Sequence, residues 1–331
     1  MPVKTGIFLS GNMKNHPRIV FYGTPEIAVA SLQSLVDAGY IITGVVTAPD
    51  SLAGRGLKVH FSPVKEFALR HDLPLFQPAS MKDPGFHDQL HLLKPDLQVV
   101  VAFRMLPKEV WSLPPLGTFN LHASLLPQYR GAAPINWVLI NGEPETGITT
   151  FFIDEKIDTG NIIFSETIVI HPEETAGELH DKLMVAGARL VVKTVKAIES
   201  GIVPAHPQNE MHDPDSGPLK KAPKIRKEDG RINWENEALT VFNFIRGMCP
   251  YPGAFTELVT SDGTSFYLKV FRVQQEILAH SFKPGTIACD KKTYLKVAVR
   301  NGFIHLTEVQ PAGRKAMNSL DFLKGYGMHF I

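Results

Sequence analysis

The chain has 331 residues, more than one hydrophobic core usually organises, so two domains are expected. Apolar residues make up 44% of the chain, charged residues 20%, and the formal net charge is +1, which excludes fibrous proteins, disordered proteins and polyanion-binding tails. No apolar run reaches the roughly 20 residues that span a bilayer, and the two cysteines form no CxxC pair. We therefore expect a cytoplasmic protein that has no membrane contact, disulfide framework or thiolate zinc site.

The first half of the chain alternates apolar runs with amphipathic stretches, a pattern typical of βαβ units around a parallel sheet. Residues 1–17 are expected to form a flexible extension without the apolar core of a signal peptide, and Met13 is an alternative start. Strands are predicted at 18–23, 40–47, 96–103, 117–124 and 147–153, and helices at 26–37, 62–70, 134–140 and 175–199. This pattern predicts an α/β domain over residues 18–205, with a parallel-rich, Rossmann-like sheet.

The amino-acid composition changes after Gly201. Residues 206–222 are rich in Pro, Asp and Lys and have the composition of a linker. Beyond them, we predict a helix at 241–246 and short strands at 254–259, 265–273, 285–288, 295–299 and 303–308. Short alternating strands of this kind indicate an OB-like small β-barrel domain over residues 223–331. Lys and Arg outnumber Asp and Glu there by 15 to 10, whereas before Pro223 they are outnumbered by 23 to 19. That asymmetry fits a nucleic-acid surface, although a solvated face would give the same count.

The segment from Gly117 to Gly131, GTFNLHASLLPQYRG, places polar residues in an otherwise apolar strand. Because residues i and i+2 share a face of a strand, Asn120, His122 and Ser124 are predicted to line one surface. Pro127 ends the strand, so this surface lies at a carboxyl end, where open parallel sheets bind ligands. The alternative is an ordinary pair of hydrogen-bonded core residues.

Asp158, in the sequence IDTGNII, follows the next strand and is expected to reach His122. A neighbouring carboxylate stabilises the charged, hydrogen-bond-donating form of an imidazole. Asn120 offers an uncharged NH₂ group that can donate to a developing oxyanion. Since no GxSxG elbow surrounds Ser124 and no cysteine is near it in sequence, the nucleophile must come with the substrate. These residues suit acyl transfer from a carbonyl to a substrate amine.

The motifs Asn120-x-His122-x-Ser124-Leu-Leu-Pro127, Tyr129-Arg-Gly131 and Asp158-Thr-Gly160 resemble those of the folate-dependent formyltransferase family. Four further segments narrow the resemblance to the members of that family that formylate methionyl-tRNA, over nearly the whole chain. These segments are FYGTPEIA at 21–28, GRG at 54–56, SPVK at 62–65 and PYPGAFT at 250–256.

The resemblance implies an enzyme that transfers a formyl group from 10-formyltetrahydrofolate to the α-amino group of methionyl initiator tRNA, in support of translation initiation. It implies an N-terminal formyltransferase domain, a C-terminal tRNA-binding barrel, a single-chain enzyme and no metal. The catalytic residues of the family match Asn120, His122 and Asp158. The residues that border the folate match Ser124, Leu125, Leu126 and Pro127.

Two basic segments are candidates for contact with tRNA. The segment from Ala48 to Lys58 is long for a strand-to-helix connection, and its two glycines present Arg55 for contact with a phosphate or an unstacked base. By resemblance, Arg55 and Lys58 contact the acceptor end. A second cluster at the domain junction is expected either to contact backbone phosphates or to form a solvated face; it contains Lys220, Lys221, Lys224, Arg226 and Lys227.

The chain departs from the family pattern at Val100 to Pro107, VVAFRMLP, where Arg104 replaces a glycine and one residue is missing. We expect a loop variant that leaves the backbone contacts to the pterin intact. His87 and His91, spaced i and i+4, lack a third ligand nearby and are interpreted as helix surface residues.

Four other functions share parts of this pattern. A formyltransferase for a sugar-nucleotide amine or for glycinamide ribonucleotide would use the same Asn, His and Asp, but neither needs the GRG segment and a basic barrel. A non-catalytic tRNA-binding protein and a folate-dependent hydrolase that releases formate are the remaining alternatives.

Overall fold

The computed structural model describes residues 16–53, 58–211, 217–259, 263 and 265–326, with only the backbone described at 52, 53 and 58. Of the proposed extension at 1–17, residues 1–15 lie outside the described residues, whereas His16 has its Nδ1 at 3.0 Å from Oε1 of Glu199. Ten strands occur in the first half: β1 (Arg18–Gly23), β2 (Ile41–Val46), β3 (Ser51–Ala53), β4 (Lys58–His60), β5 (Leu75–Phe76), β6 (Leu97–Val101), β7 (Thr118–His122), β8 (Arg130–Gly131), β9 (Glu145–Phe152) and β10 (Ile162–Val169). The helices between and after them are α1 (Glu26–Asp37), α2 (Pro63–Arg70), α3 (Pro84–Leu93), α4 (Lys108–Trp111), α5 (Pro134–Ile140) and α6 (Ala176–Glu199).

Seven of these strands form one sheet in the order β10-β9-β7-β6-β1-β2-β5. The strands from β7 to β5 are parallel, whereas β9 is antiparallel to both of its neighbours, β7 and β10. The chain order reverses at β1, which lies between β2 and β6. The sheet thus has the parallel-rich, Rossmann-like organisation that the sequence predicts, and its carboxyl edge at β1, β6 and β7 is the place where such sheets bind ligands.

The central strand β1 shows why the sheet is covered on both faces. Ile19 and Phe21 belong to the larger apolar cluster, on the side covered by α1 and α6, whereas Val20 and Tyr22 belong to a second cluster. All four side chains are fully buried. Because successive side chains of a strand point to opposite faces, a continuous apolar run of this kind requires helices on each side.

Local signals set the starts of two helices. The Thr175 hydroxyl accepts a hydrogen bond from the amide N of Glu178, and the Glu178 carboxylate accepts one from the amide N of Thr175, which forms a capping box at the start of α6. Ser62 caps α2 in a similar way, with its hydroxyl accepting from the amide N of Lys65. The predicted helices at 175–199 and 62–70 are confirmed to within one residue.

The second half contains an antiparallel sheet in the order β12-β13-β16-β15-β14, with β17 paired to β16. Its core is built from residues such as Val270, Ile304 and Leu306, against which α7 packs. This sheet bears out the small β domain that the sequence predicts. Its elements are β11 (Lys221–Ala222), α7 (Ala238–Met248), β12 (Ala254–Val259), β13 (Ser265–Ile277), β14 (Ile287–Cys289), β15 (Leu295–Val299), β16 (Gly302–Pro311), β17 (Met317–Asn318) and α8 (Ser319–Tyr326).

Several segments differ from the sequence prediction, and three of them are informative. Residues 162–169 form the edge strand β10, whose outward side chains are polar and therefore do not give the apolar signal of a buried strand. Residues 51–53 and 58–60 pair in antiparallel fashion as the β3-β4 hairpin, where the sequence predicts a loop. The proposed linker at 206–222 contains a 3₁₀ helix (Gln208–Glu210) and β11, which pairs with β8 in parallel. The linker prediction thus missed backbone pairing with a segment about 90 residues earlier in the chain.

The two halves meet where α5 packs on α7. The side-chain NH₂ of Asn136 donates to the carbonyl O of Gly247 at 2.7 Å, and a Cβ at Gly247 would lie only 2.7 Å from Cγ1 of Ile140. Glycine is therefore needed for this close approach of the helices. Since Asn136 also lines the large cavity described below, the second half is fastened directly to one wall of that cavity.

Candidate active site

A cavity of about 1640 Å³ lies at the carboxyl ends of β6 and β7. Asn120, His122 and Asp158 all line it, so the structure brings together the three residues that the sequence singled out. The remaining wall comes mainly from residues 100–109, 131–136 and 153–157. Tyr251, from the second half of the chain, also borders the cavity and is 70% exposed.

His122 is held in one tautomer by the loop that follows its strand. Its Nε2 lies 2.9 Å from the backbone carbonyl O of Tyr129. Because a carbonyl oxygen only accepts, Nε2 carries the hydrogen, and Nδ1 of the neutral ring is left as an acceptor. Nδ1 lies 3.9 Å from Oδ2 of Asp158, too far for a hydrogen bond but close enough for a strong charge interaction. The pair is thus arranged to accept a proton at Nδ1 and to stabilise the resulting imidazolium.

Asp158 lies in a tightly constrained loop. Its φ of +56° is in the left-handed region, which Asp tolerates better than most residues, and its Oδ2 accepts a hydrogen bond from the amide N of Gly131 at 2.9 Å. A Cβ at Gly160 would lie 1.7 Å from the carbonyl O of Phe152, so only glycine fits two residues after Asp158. A Cβ at Gly131 would lie 2.3 Å from the carbonyl O of Ala222. These two approaches explain the glycines of the Asp158-Thr-Gly160 and Tyr129-Arg-Gly131 motifs.

Asn120 lies in the middle of β7, between Val100 of β6 and Phe151 of β9. Its carboxamide Oδ1 is buried and has no hydrogen-bond partner among the described residues. An unpaired buried polar group costs about 1–3 kcal/mol, and such groups in native proteins commonly mark a functional position. The carboxamide of Asn120 is therefore available to a ligand in the cavity.

Tyr129, whose carbonyl holds His122, is a functional residue that the sequence analysis missed. Its φ is +59°, its amide N donates to the carbonyl O of Lys220 at 2.7 Å, and its hydroxyl donates to the Glu143 carboxylate. Burial raises the pKa of the Tyr129 phenol, and the hydrogen bond to Glu143 raises it further, so the hydroxyl stays protonated. The Tyr129-Arg-Gly131 motif indicated that this segment matters, but no neighbouring residue in the sequence indicates that the amide N of Tyr129 donates to Lys220.

Comparison with known proteins agrees with this geometry. The formyl transferase family profile matches residues 17–195, and the profile of the formyl transferase C-terminal domain matches residues 224–327. The methionyl-tRNA formyltransferase of Bacteroides fragilis is 50% identical over 313 residues, which cover 95% of this chain and 96% of that protein. The protein of the same name from Azobacteroides pseudotrichonymphae is 53% identical over 310 residues, 93% of this chain and 95% of its own length. The chain belongs to the methionyl-tRNA formyltransferase family.

The fold is also shared with more distant enzymes. The N-formyltransferase from Helicobacter canadensis, solved with folinic acid and dTDP-3-aminofucose, superposes with a TM-score of 0.62 at 19% identity. The match covers 89% of this chain and 99% of that one. At this level of identity the likeness is evidence for a common fold, not for a common substrate.

The family's folate-bordering motif is placed away from the cavity. β7 ends at His122, so the alternation of strand side chains stops there, and the prediction that Ser124 shares the surface of His122 is wrong. The buried Ser124 hydroxyl instead donates to the carbonyl O of Gln128 at 2.7 Å and closes the turn. None of residues 124–127 lines the cavity as described, and their contact with folate stays a prediction.

Arg104, the departure from the family pattern, joins two segments of the cavity wall. Its guanidinium donates to the carbonyl O of Ala79 at 3.0 Å and to that of Pro78, and it lies over the Phe103 ring. Ala79 and Phe103 both line the cavity. Arg104 thus fastens the wall through backbone carbonyls, which a glycine could not do.

The proposed tRNA contacts fall into three groups. Arg55 lies outside the described residues, and only the backbone of Lys58 is described, in β4. Lys220 donates to Glu143, so the structure places it in the support of Tyr129. The others are exposed at the junction between the two halves: Lys221, Lys224, Arg226 and Lys227.

A second cavity of about 430 Å³ lies beside the β3-β4 hairpin. Pro25 and His180 line both cavities, so the two adjoin, and Ser51 and His60 of the hairpin line the smaller one. The hairpin that carries the GRG motif therefore borders a recess next to the candidate active site.

Two sequence-based expectations concern metals and membranes. Within the described ranges, no group of three or more His, Cys, Asp or Glu side chains is arranged to hold a metal ion. The His87 Nε2 lies 2.8 Å from the carbonyl O of Met81, so this ring nitrogen makes a local hydrogen bond. None of the helices in the described part of the chain combines the length and apolar character that a membrane crossing requires.

Proposed function

We propose that the protein transfers a formyl group from 10-formyltetrahydrofolate to the α-amino group of methionyl initiator tRNA in the cytoplasm. The observation that carries this proposal is the convergence of an unpaired carboxamide, a tautomer-fixed imidazole and a carboxylate in one large cavity. The methionyl-tRNA formyltransferases at about half identity over nearly the whole chain support the choice of substrate.

The residues of this chain have distinct roles in the transfer. The α-amine, whose reference pKa is about 7.7 to 8.0, is partly neutral near pH 7 and attacks the formyl carbon. His122 Nδ1 accepts the proton that the amine loses, and Asp158 stabilises the imidazolium. The NH₂ group of Asn120 donates to the oxyanion of the tetrahedral intermediate. The bond from the formyl carbon to N10 of the folate then breaks, and His122 returns the proton to that nitrogen.

The formyl donor is assigned to the large cavity. Its wall at 100–109 is mainly apolar, with Arg104, Lys108 and Glu109 as its charged residues, and an apolar wall suits a flat heterocycle. The Helicobacter canadensis enzyme, which shares the fold, was solved with folinic acid, a folate derivative. On this proposal Ser124, Leu125, Leu126 and Pro127 support the wall from behind.

The acceptor end of the tRNA is assigned to the mouth of the cavity. The adjoining recess beside the β3-β4 hairpin and the exposed ring of Tyr251 border the cavities. On this proposal the exposed Lys221 and Lys224, whose segment pairs with β8, lie along the path of the tRNA. Aromatic side chains stack on unpaired bases, and Lys side chains contact phosphates. Arg55 and Lys58 are proposed to extend the contact. We propose a monomer as the active form, as the resemblance to the family implies.

The main alternative is transfer to the amine of a nucleotide-linked sugar or of glycinamide ribonucleotide. The sugar enzyme from Helicobacter canadensis has the same fold but is only 19% identical to this chain. A small amine would not require the recess, the exposed aromatic ring and the exposed lysines.

The test is an assay that follows labelled formyl from 10-formyltetrahydrofolate into each of several acceptors. Methionyl initiator tRNA is expected to be formylated, whereas uncharged initiator tRNA, free methionine, glycinamide ribonucleotide and a dTDP-linked amino sugar are not. Transfer to the amino sugar or to glycinamide ribonucleotide at a higher kcat/KM than to the charged tRNA would overturn the proposal. Release of free formate without any acceptor product would indicate a hydrolase.

A further inference from the structure

Gln208 lies in the stretch that the composition of the sequence marks as a linker, yet it is one of the most buried polar residues of the chain. It begins the 3₁₀ helix Gln208–Glu210 and is only 3% exposed. Its neighbours Asn209 and Glu210 are exposed. Since burying an amide costs free energy unless it is hydrogen-bonded, the partners of Gln208 indicate why it is there.

All the hydrogen-bonding capacity of the Gln208 side chain is used. Oε1 accepts from Nε of Arg130 at 3.0 Å and from Nη2 at 2.6 Å. Nε2 donates to the carbonyl O of Asp158 at 3.0 Å and to that of Gly160 at 2.8 Å. An amide has two acceptor sites and two N–H groups, so one side chain connects two separate segments at full capacity.

Those two segments carry the atoms that hold the catalytic pair. Arg130 lies between Tyr129, whose carbonyl fixes the His122 ring, and Gly131, whose amide N donates to Asp158 Oδ2. Asp158 and Gly160 lie on the facing loop. The Gln208 amide therefore joins the two segments near the bond between Gly131 and Asp158, and it restrains the distance from Asp158 to His122.

We propose that Gln208 is a positioning residue, which sets the separation of the Asp158 carboxylate and the His122 ring by clamping Arg130 to the carbonyls of Asp158 and Gly160. It acts through these groups and does not contact the reacting atoms. The proposal rests on the proposed function, because turnover is one of its readouts. On this proposal the segment that contains Gln208, between the two domains, stabilises the site of the first domain.

The decisive variant is Gln208→Glu. Glutamate has the same shape and keeps an acceptor for Arg130, but its carboxylate cannot donate to the carbonyls of Asp158 and Gly160. The change therefore removes the two bonds to the loop that carries Asp158 and keeps the bond to Arg130. Gln208→Ala removes both sides of the clamp, and Asn209→Ala is the matched control, since it removes an exposed amide from the same 3₁₀ helix.

Initial-rate kinetics with methionyl initiator tRNA and 10-formyltetrahydrofolate give the first readout. We expect Gln208→Glu and Gln208→Ala to lower kcat about 10- to 100-fold, the loss typical of a misplacement near 1 Å, while KM for tRNA stays within about twofold. Asn209→Ala is expected to retain the kcat of the wild type. A Gln208→Glu enzyme with the kcat of the wild type would overturn the proposal, as would a loss confined to KM.

Hydrogen–deuterium exchange gives a readout that does not depend on catalysis. In Gln208→Glu the amides of 129–131 and 154–161 should exchange faster, while those of β1 and α1 stay protected. Unchanged exchange in both segments would overturn the proposal even if turnover fell. The wild-type enzyme in the formyl-transfer assay tests the proposed function separately from the role of Gln208. If the wild type failed to formylate the charged tRNA, the proposed function would be wrong, while the exchange result would still decide the role of Gln208.

Discussion

The base of the cavity and its mouth differ in how their polar groups are held. At the base, His122 is buried and the Asp158 side chain is only 11% exposed, and each is fixed by a hydrogen bond to the backbone of the 129–131 segment. At the mouth, Tyr251 is largely exposed, and Lys221 and Lys224, which we assign to the same tRNA surface, are exposed as well. Chemistry at a single carbon requires donors and acceptors placed within tenths of an ångström, whereas attraction of a phosphate backbone requires mainly charge within reach. The comparison predicts large effects on turnover at the base and smaller effects on binding at the mouth.

Substitutions at the base should have the largest effect. We expect Asn120→Ala and His122→Ala each to lower kcat about 10²- to 10³-fold, since each removes an oxyanion donor or a proton acceptor. Affinity for methionyl-tRNA should change less than about threefold in a filter-binding assay. Equal losses of kcat and of tRNA affinity would mean that the base also binds the tRNA, and the contrast between the two regions would fail. Asn209→Ala is the control for loss of an exposed carboxamide.

Tyr251 tests the mouth. Tyr251→Ala should raise KM for methionyl-tRNA about tenfold, because a stacked base contributes about 1–3 kcal/mol, while kcat stays near that of the wild type. Tyr251→Phe keeps the ring and should restore KM. If Tyr251→Ala instead lowers kcat at saturating tRNA, the ring contributes to the reaction at the bottom of the cavity rather than to binding at its mouth.

The lysines sharpen the comparison, because the half-exposed Lys220 pairs with Glu143, the partner of Tyr129, whereas we assign Lys221 and Lys224 to the tRNA surface. For Lys221→Ala and Lys224→Ala, the slope of log affinity against log salt should become shallower by about one each. Lys220→Ala should leave that slope unchanged and lower kcat, since Lys220 supports Tyr129 through Glu143. A shallower slope of log affinity against log salt for Lys220→Ala, with kcat unchanged, would show that Lys220 contacts the tRNA instead.

The ion pair between the halves should have the smallest effect. Arg272 donates to Glu178 at 2.6 Å, and this hydrogen bond, with that from the amide N of Thr175, lowers the pKa of Glu178 to about 2. Because the folded-state pKa is depressed from 4.5, the stabilisation is present above about pH 4.5 and is lost as the pH falls towards 2. Both side chains are about half exposed, so Glu178→Gln should cost no more than about 1 kcal/mol at pH 6.

Urea unfolding of the wild type and of Glu178→Gln at pH 6 and pH 3 measures this contribution. The difference in unfolding free energy between the two proteins should be smaller at pH 3. A difference that grows as the pH falls would show that the carboxylate is not stabilised in the folded protein. Leu239→Ala, at an exposed position of α7, is a control for a surface change near the same junction.

The elements that the sequence predicted with the right bounds are those with a strong local pattern. β1, α1, α5, β12 and β15 begin and end where their apolar periodicity predicts. The shared face of Asn120 and His122 follows from the two-residue repeat of a strand, and both do line the cavity. The same rule failed at Ser124, because the strand ends before it and a side-chain hydrogen bond then directs the turn.

The amino-acid sequence by itself determined the two-domain organisation, the parallel-rich sheet and the residue types available for acyl transfer, because these depend on periodicity and on motifs within about ten residues. Only the tertiary structure decided the tautomer of His122, the support of Tyr129 by Lys220, and the clamp at Gln208. Those contacts join residues up to about 90 positions apart, and a composition typical of a linker gives no sign of them. They depend on directional hydrogen bonds to backbone groups, which are the same at every position of the sequence and acquire distinct partners only once the chain has folded.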